Sequence, residues 1–349
     1  ITEAVRSQTL NLFIEDAIQE TTVMTGGISA EYGRFTGGVV NSITKSGGNE
    51  FSGSFRDNLT NDAWTAANPL QEAAGVENTD KLNNVYEATL GGYVLRDRLW
   101  FFLAGRDTKT NTSVATRIVP GDASQTSLSA DGTIAERRLE GKLTGQLTAR
   151  HNLAASYLDR TQDSTNTQFT TLSYDLDSLT DRTDPQSLLS AFYNGVLTNN
   201  WMVEARYSAM EWGVAHGSGS KFTDVIRGTI VRNRADSNSR FNSPTFCGVC
   251  DKETRSNDNL VFKTNYFLTN SGFGNHNIVG GVESFSEHRF ANNYQSGSNY
   301  RLFVNGVQRV GNTLYPTINP GPGGSATYLV WTPILELQNN ETDLETNSA

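Results

Sequence analysis

After residue 50 the chain alternates apolar and polar residues one by one, in segments about ten residues long. In Arg138–Thr148 every odd position is Leu or Gly and every even position is charged or polar. Trp201–Ala209 follows the same rule, with Trp201, Val203, Ala205, Tyr207 and Ala209 on one side and Glu204 and Arg206 on the other. Phe51, Gly53 and Phe55 likewise oppose Ser52, Ser54 and Arg56. A period of two places successive side chains on opposite faces of a strand, so each segment has one face for an apolar medium and one for water. The pattern predicts about ten strands, near 51–59, 85–95, 99–108, 136–149, 152–162, 187–198, 201–212, 259–269, 277–287 and 327–338. Ten residues, tilted near 45°, cover a hydrocarbon band of about 25 Å.

The connections alternate between short and long. Arg96-Asp97-Arg98, Arg150-His151, Asn199-Asn200 and Ser271–Asn275 are short, whereas 60–84, 109–135, 163–186, 213–258 and 288–326 are long. Outer-membrane barrels have tight periplasmic turns and large outer loops, while a soluble sandwich has turns of more even length. Two segments break the pattern. Leu99–Leu103 is apolar on both faces, and Pro333 weakens the last segment as a central strand. The run Asn319–Gly324 is loop by composition and no phosphate cradle, since no Lys-Ser/Thr follows it.

Composition removes several classes. No stretch approaches the run of about 20 apolar residues that a spanning helix needs. A mean hydropathy of −0.44 is compatible with a membrane barrel, whose strands show lipid only every second side chain. The net charge of −9 argues against nucleic acid, which is bound by basic surfaces. Ile1-Thr2-Glu3-Ala4 lacks the charged and apolar regions of a signal peptide, and the chain is expected to begin partway through a larger protein.

Candidate chemistry is sparse. No nucleophile elbow, His-Glu-x-x-His or Walker sequence is present, so neither an enzyme nor a cofactor is expected. Cys247 and Cys250 stand in a stretch rich in Asn, Ser and Arg, and the histidines are scattered, so the pair reads as a small loop disulfide in an oxidising compartment. Asp175, Asp177, Asp181 and Asp184 share one long loop but lack the glycine and glutamate of a calcium loop, and read as a solvated acidic segment.

The register changes at Lys45–Asn49, a turn cluster. Before it, Val23, Gly26, Ala30, Tyr32, Gly33, Gly37, Gly38, Val39, Asn41, Thr44 and Lys45 form a run that resembles the closing segment of a TonB-dependent receptor plug, which leads directly into the first barrel strand. Gly33, Gly37 and Gly38 permit positive φ or close backbone approach, as a small domain wedged in a barrel requires. The continuation through Ser46–Ser54 is most similar to the large Oar-like receptors, which often carry a carboxypeptidase-regulatory-like domain ahead of the plug.

The resemblance implies an all-β fold, a transmembrane antiparallel β-barrel with the C-terminal part of an internal plug domain at 1–49 and barrel at 50–349. Family barrels have 22 strands, so strands beyond the ten are expected elsewhere in the protein, as is the N-terminal box that engages the TonB-type energy-transducing partner. The other implied partners are outer-membrane lipid and an unidentified extracellular substrate, met by loops such as 213–258 and 288–326. The wall charges Arg138, Glu140, Lys142, Glu204, Arg206, Lys263 and Glu283 should face the lumen, and Glu31 and Arg34 are candidates for ion pairs between the plug and wall residues such as Glu140, Glu204 and Arg206. The implied function is energy-coupled uptake through a plugged barrel. A barrel that displays loops for adhesion without transport is the alternative, and a passive porin leaves the plug-like run unexplained.

Overall fold

The computed structural model describes residues 14–27, 38–66, 69, 80–122, 127–167, 172–216, 224, 226, 228–243, 253–270, 272, 274–291, 298, 300–316, 330–333 and 340–348. β1 (Ile18–Met24) and β2 (Val39–Thr44) form an antiparallel hairpin. A meander follows: β3 (Ser52–Asn61), β4 (Leu82–Leu95), β5 (Leu99–Ala115), β6 (Ser129–Thr148), β7 (His151–Thr167), β8 (Thr180–Thr198) and β9 (Trp201–His216), each antiparallel to the next. β10 (Ile230–Asn233) and β11 (Ser239–Phe241) leave this sheet. The chain returns as β12 (Glu253–Asn270), which pairs with β9, and β13 (Gly274–Ala291). It leaves again through β14 (Tyr300–Val304), β15 (Val307–Val310), β16 (Thr313–Pro316) and β17 (Val330–Pro333), and β18 (Asn340–Ser348) closes the series against β13. The large sheet has ten strands in the order β18-β13-β12-β9-β8-β7-β6-β5-β4-β3 and is open, with β3 and β18 at its edges.

Register sorts the side chains into two unlike faces. Leu103 lies opposite Gly141, Leu139 opposite Asp159, Leu189 opposite Ala209 and Phe262 opposite Val282, which puts the apolar set of each strand on one surface. These residues remain open: Leu139, Leu143 and Leu147 are 50, 49 and 64% exposed, and Leu90, Leu103, Leu153, Leu260, Ile278 and Val282 are exposed as well. A continuous apolar surface of this size is stable only against another apolar medium, here the lipid. Along the same face the first charges moving away from the short turns are Asp107, Arg137, Asp159, Glu211 and Asp258, and Asp107 stands directly opposite Arg137. They mark the outer boundary of the hydrocarbon. At the turn end, Phe51 packs on Tyr93 and Phe101 with ring centroids 4.9 and 6.2 Å apart, an aromatic edge of the kind that sits at a membrane interface.

The opposite face carries the polar set. Glu136 receives Arg138 and Arg160 at 2.6 and 2.5 Å, and Arg182 pairs with Asp184 at 2.7 Å. Opposite charges on adjacent positions of one face neutralise a wall that would otherwise hold unpaired guanidinium groups.

The structure departs from the sequence pattern at the outer ends. β5 to β8 run on through stretches expected as loop, so that β7 and β8 narrow the 163–186 connection and Asp181 and Asp184 lie within β8. The segment expected at 327–338 supplies β17, which pairs with β14 outside the large sheet, and the tenth strand of that sheet is β18 instead. Pro333 accordingly ends a short strand and interrupts no membrane ladder.

Candidate functional site at the hairpin, the wall and the outer cap

The N-terminal segment rests on the polar face of β3 to β6. Ile14 and Ala17 are fully buried against Phe102 and Ala104, a small apolar contact. Ionic contacts flank it. Arg106 reaches Glu15 at 2.5 Å and Glu87 at 3.2 Å, while Arg56 pairs with Glu87 and lies 3.5 Å from Asp16. Glu87 is the hub, with its side chain 1% exposed between two guanidinium groups. Farther along, the Lys142 ammonium donates to the Thr44 carbonyl at 2.8 Å, and the Lys45 amide donates to the Ala17 carbonyl at 2.7 Å. A cavity of about 670 Å³ lies between β2 and the wall, lined by Asn41, Thr44, Lys142, Ser190, Phe192 and Arg206 among others.

The stretch that joins hairpin to wall is held at two points. The Asn49 side-chain carbonyl accepts from the Asp97 amide at 2.9 Å and from the Trp100 indole at 2.8 Å, while its amide group donates to the Asp97 carboxylate. Asp97 is in the left-handed region at φ 63°, so Asn49 clasps the tight β4–β5 turn. Gly47 passes so close to the wall that a Cβ there would stand 2.2 Å from the Phe101 carbonyl oxygen and 2.3 Å from that of Gly92.

Of the residues singled out from sequence, Gly26 opens the β1–β2 connection, and Gly38 faces the Met24 carbonyl. Asn41 lies in β2, opposite Thr22, and Lys45 follows that strand. Glu140 is buried beside the hairpin cavity. Arg206 donates to Glu204 at 3.1 Å along β9 and stacks on Phe192 at 5.4 Å. Glu31, Tyr32, Gly33, Arg34, Gly37, Cys247 and Cys250 lie outside the described residues. Sequence reasoning missed Glu15, Asp16, Arg56, Glu87 and Arg106, whose only signal was a polar position on an alternating strand or a charge before the hairpin.

At the outer ends the connections build a cap. Val119, Tyr174, Val231, Phe241, Val304 and Val307, from four different connections, share one buried core. β10, β11, β14 and β17 form its four-stranded sheet, with β10 parallel to β14. The Tyr174 hydroxyl donates to Asp236, which also pairs with Arg117, and Asn233 donates to that hydroxyl at 3.1 Å. Burial, then the bond to Asp236, push the Tyr174 phenol up to about 12. Burial also raises the Asp175 carboxyl, partly offset by donors from Ser178 and Asn242.

The comparisons agree with this geometry. A family model described as an outer membrane beta barrel domain matches residues 43–135, from the end of β2 into β6. The outer membrane transporter YddB from Escherichia coli has the same fold, with a TM-score of 0.58 over 95% of this chain at 13% identity. The fold is that of an outer-membrane β-barrel wall. Within the chain, 89 residues are 42% identical to the TonB-dependent transporter Oar of Myxococcus xanthus, a relationship to the TonB-dependent receptors that covers 24% of this chain. The matches span 8% of the Oar chain and 40% of the YddB chain.

Proposed function

We propose that the chain is part of a TonB-dependent receptor, in which residues 1–49 end a plug domain and the rest forms barrel wall and outer loops, and that the receptor imports a solute by energy coupling. The observation that carries this reading is the way the N-terminal segment meets the wall. It is held by ion pairs, one lysine and a small apolar contact, an attachment that a pull on the chain can break in steps without exposing a large core. Most of these pairs are partly exposed, and such pairs contribute about 0–1 kcal/mol each. The clasp at Asn49 then keeps the end of the segment fixed to the first turn while the rest moves. Neither the wall nor the cap is assigned a catalytic role.

Comparison of spent medium from cells with and without the receptor identifies solutes depleted because of it. Deletion of the inner-membrane energy-transducing complex should end that depletion, and depletion that continues unchanged overturns the coupling. The well-cored cap favours a second reading, a barrel that displays its outer surface for adhesion. In that case the receptor depletes no solute, and loss of the cap impairs surface attachment alone.

A further inference from the structure

The two faces of the cap sheet differ in character. Val231, Phe241 and Val304 turn into the shared core. Register places Arg232 opposite both Arg240 and Phe303, and Arg301 opposite Ile230, so Arg232, Arg240, Arg301 and Phe303 share the other face. Arg234 and Arg301 both stack on the Phe303 ring, at 4.2 and 5.0 Å from its centroid, which brings a fourth guanidinium to the same place.

Four arginines on one face, two of them stacked on one ring, need a reason. Like charges directly opposite in an antiparallel pair are destabilising, as Arg232 and Arg240 are. Arg240 is 0% exposed, its Nε reaches only the Ser173 hydroxyl at 3.5 Å, and its two terminal nitrogens are buried without a hydrogen-bond partner. The Nε of Arg301 is likewise buried and unbonded. Among the described residues no carboxylate lies within ion-pair distance of Arg234, Arg240 or Arg301: Asp236 is taken by Arg117 and Asp122 by Arg309. The backbone is fixed independently, since the Arg240 amide and carbonyl bond to Leu172 and Tyr174 at 3.0 and 2.8 Å. Burial first, and then Arg232 beside it, draw Arg240 down to about 10, with Asp175 acting the other way. A buried guanidinium with empty donors is strongly unfavourable unless an anion completes it, and the planar fork of arginine matches the oxygens of phosphate and carboxylate.

We propose that Arg240 and Arg301, which flank Arg232 on one face of β11, β10 and β14, form with it a binding site in the outer cap for an oxyanion, a phosphate or carboxylate group carried by a solute. The site does not depend on the transport reading, because its test reads binding alone.

The test uses the full-length receptor in a detergent that has no phosphate group, so that no lipid-like head group supplies the anion. Hydrogen exchange of the amides in 230–241 is followed while inorganic phosphate, and in a second series acetate, replaces chloride at constant ionic strength. At least one oxyanion should slow exchange saturably, with a midpoint shifted at least tenfold in Arg301→Gln. Arg240→Met keeps the packing and removes the charge. It should abolish the response and, with chloride alone, exchange no faster than the unmodified protein. The proposal is overturned if neither anion slows exchange beyond chloride, or if Arg301→Gln responds with an unchanged midpoint. It is also overturned if Arg240→Met exchanges faster in chloride, which would make the arginine a structural element.

Discussion

Arg106 on β5 meets Glu15 at 2.5 Å, across a separation of 91 positions in the chain. This contact joins a piece of backbone outside the wall to the wall's polar face, and its energetics differ from those of the neighbouring pair to Glu87. The Glu15 side chain is 56% exposed whereas that of Glu87 is 1% exposed, so water screens the first and hardly reaches the second. Glu15→Ala should cost about 0.5–1 kcal/mol, and Glu87→Ala, which leaves two guanidinium groups facing each other, about 3 kcal/mol or more. Urea unfolding of the protein refolded in detergent separates the two.

Gly47 offers a sharper test of how the hairpin joins the wall. An added Cβ meets two strand carbonyl oxygens, which are backbone and cannot swing aside, whereas a Cβ on the adjacent Gly48 meets nothing within 4 Å. Gly47→Ala should therefore displace the linker and lower stability by about 2–4 kcal/mol, and Gly48→Ala should change it by less than about 1 kcal/mol. The yield of heat-modifiable folded barrel on cold electrophoresis reads the difference.

The lipid boundary can be located by substitution. Arginine at Leu143, midway along the exposed apolar face of β6, should cost about 2–4 kcal/mol on folding into vesicles. Arginine in place of Asp107, on the charged contour, should cost about 0–1 kcal/mol. Equal costs at the two positions would move the boundary away from that contour.

Tyr174 gives the cap a distinctive alkaline profile. Its folded value of about 12 lies above the ordinary 10.0, so the folded cap holds the phenolic proton more tightly than the unfolded one does. The stability linked to this group is fully present below pH 10 and is lost as pH rises through about 12, by up to about 3 kcal/mol. Protection of cap amides should fall through that window in the unmodified protein and stay nearly flat in Tyr174→Phe, which lacks the hydroxyl's bonds at every pH. The difference between the two is therefore largest below pH 10 and shrinks as pH rises.

Much of the wall was legible because lipid on one side and water on the other force a period of two. Arg138–Thr148 obeys it throughout, and β6 includes the whole segment. The signal failed where the forcing failed. Lys109–Ala115 and Ser129–Ala135 project beyond the lipid, where backbone pairing and polar side-chain contacts hold them and no hydrophobic rhythm marks them. The cap was illegible for another reason: its core draws single residues from positions as far apart as Val119 and Val307, some outside any strand and the others on strands three to five residues long. The contacts of the N-terminal segment depend on which charge on a polar face lies nearest, a matter of register that alternation alone does not fix. Thus Glu31 and Arg34 drew attention from sequence, while the described ion pairs come from Glu15 and Asp16.

The continuation of β5 and β6 past Asp107 and Arg137 has a geometric consequence. Eight further residues on a strand tilted near 45° rise about 20 Å. The cap is therefore held well clear of the head groups on a stalk of paired backbone, and a solute arriving from the medium touches protein before it comes near the bilayer.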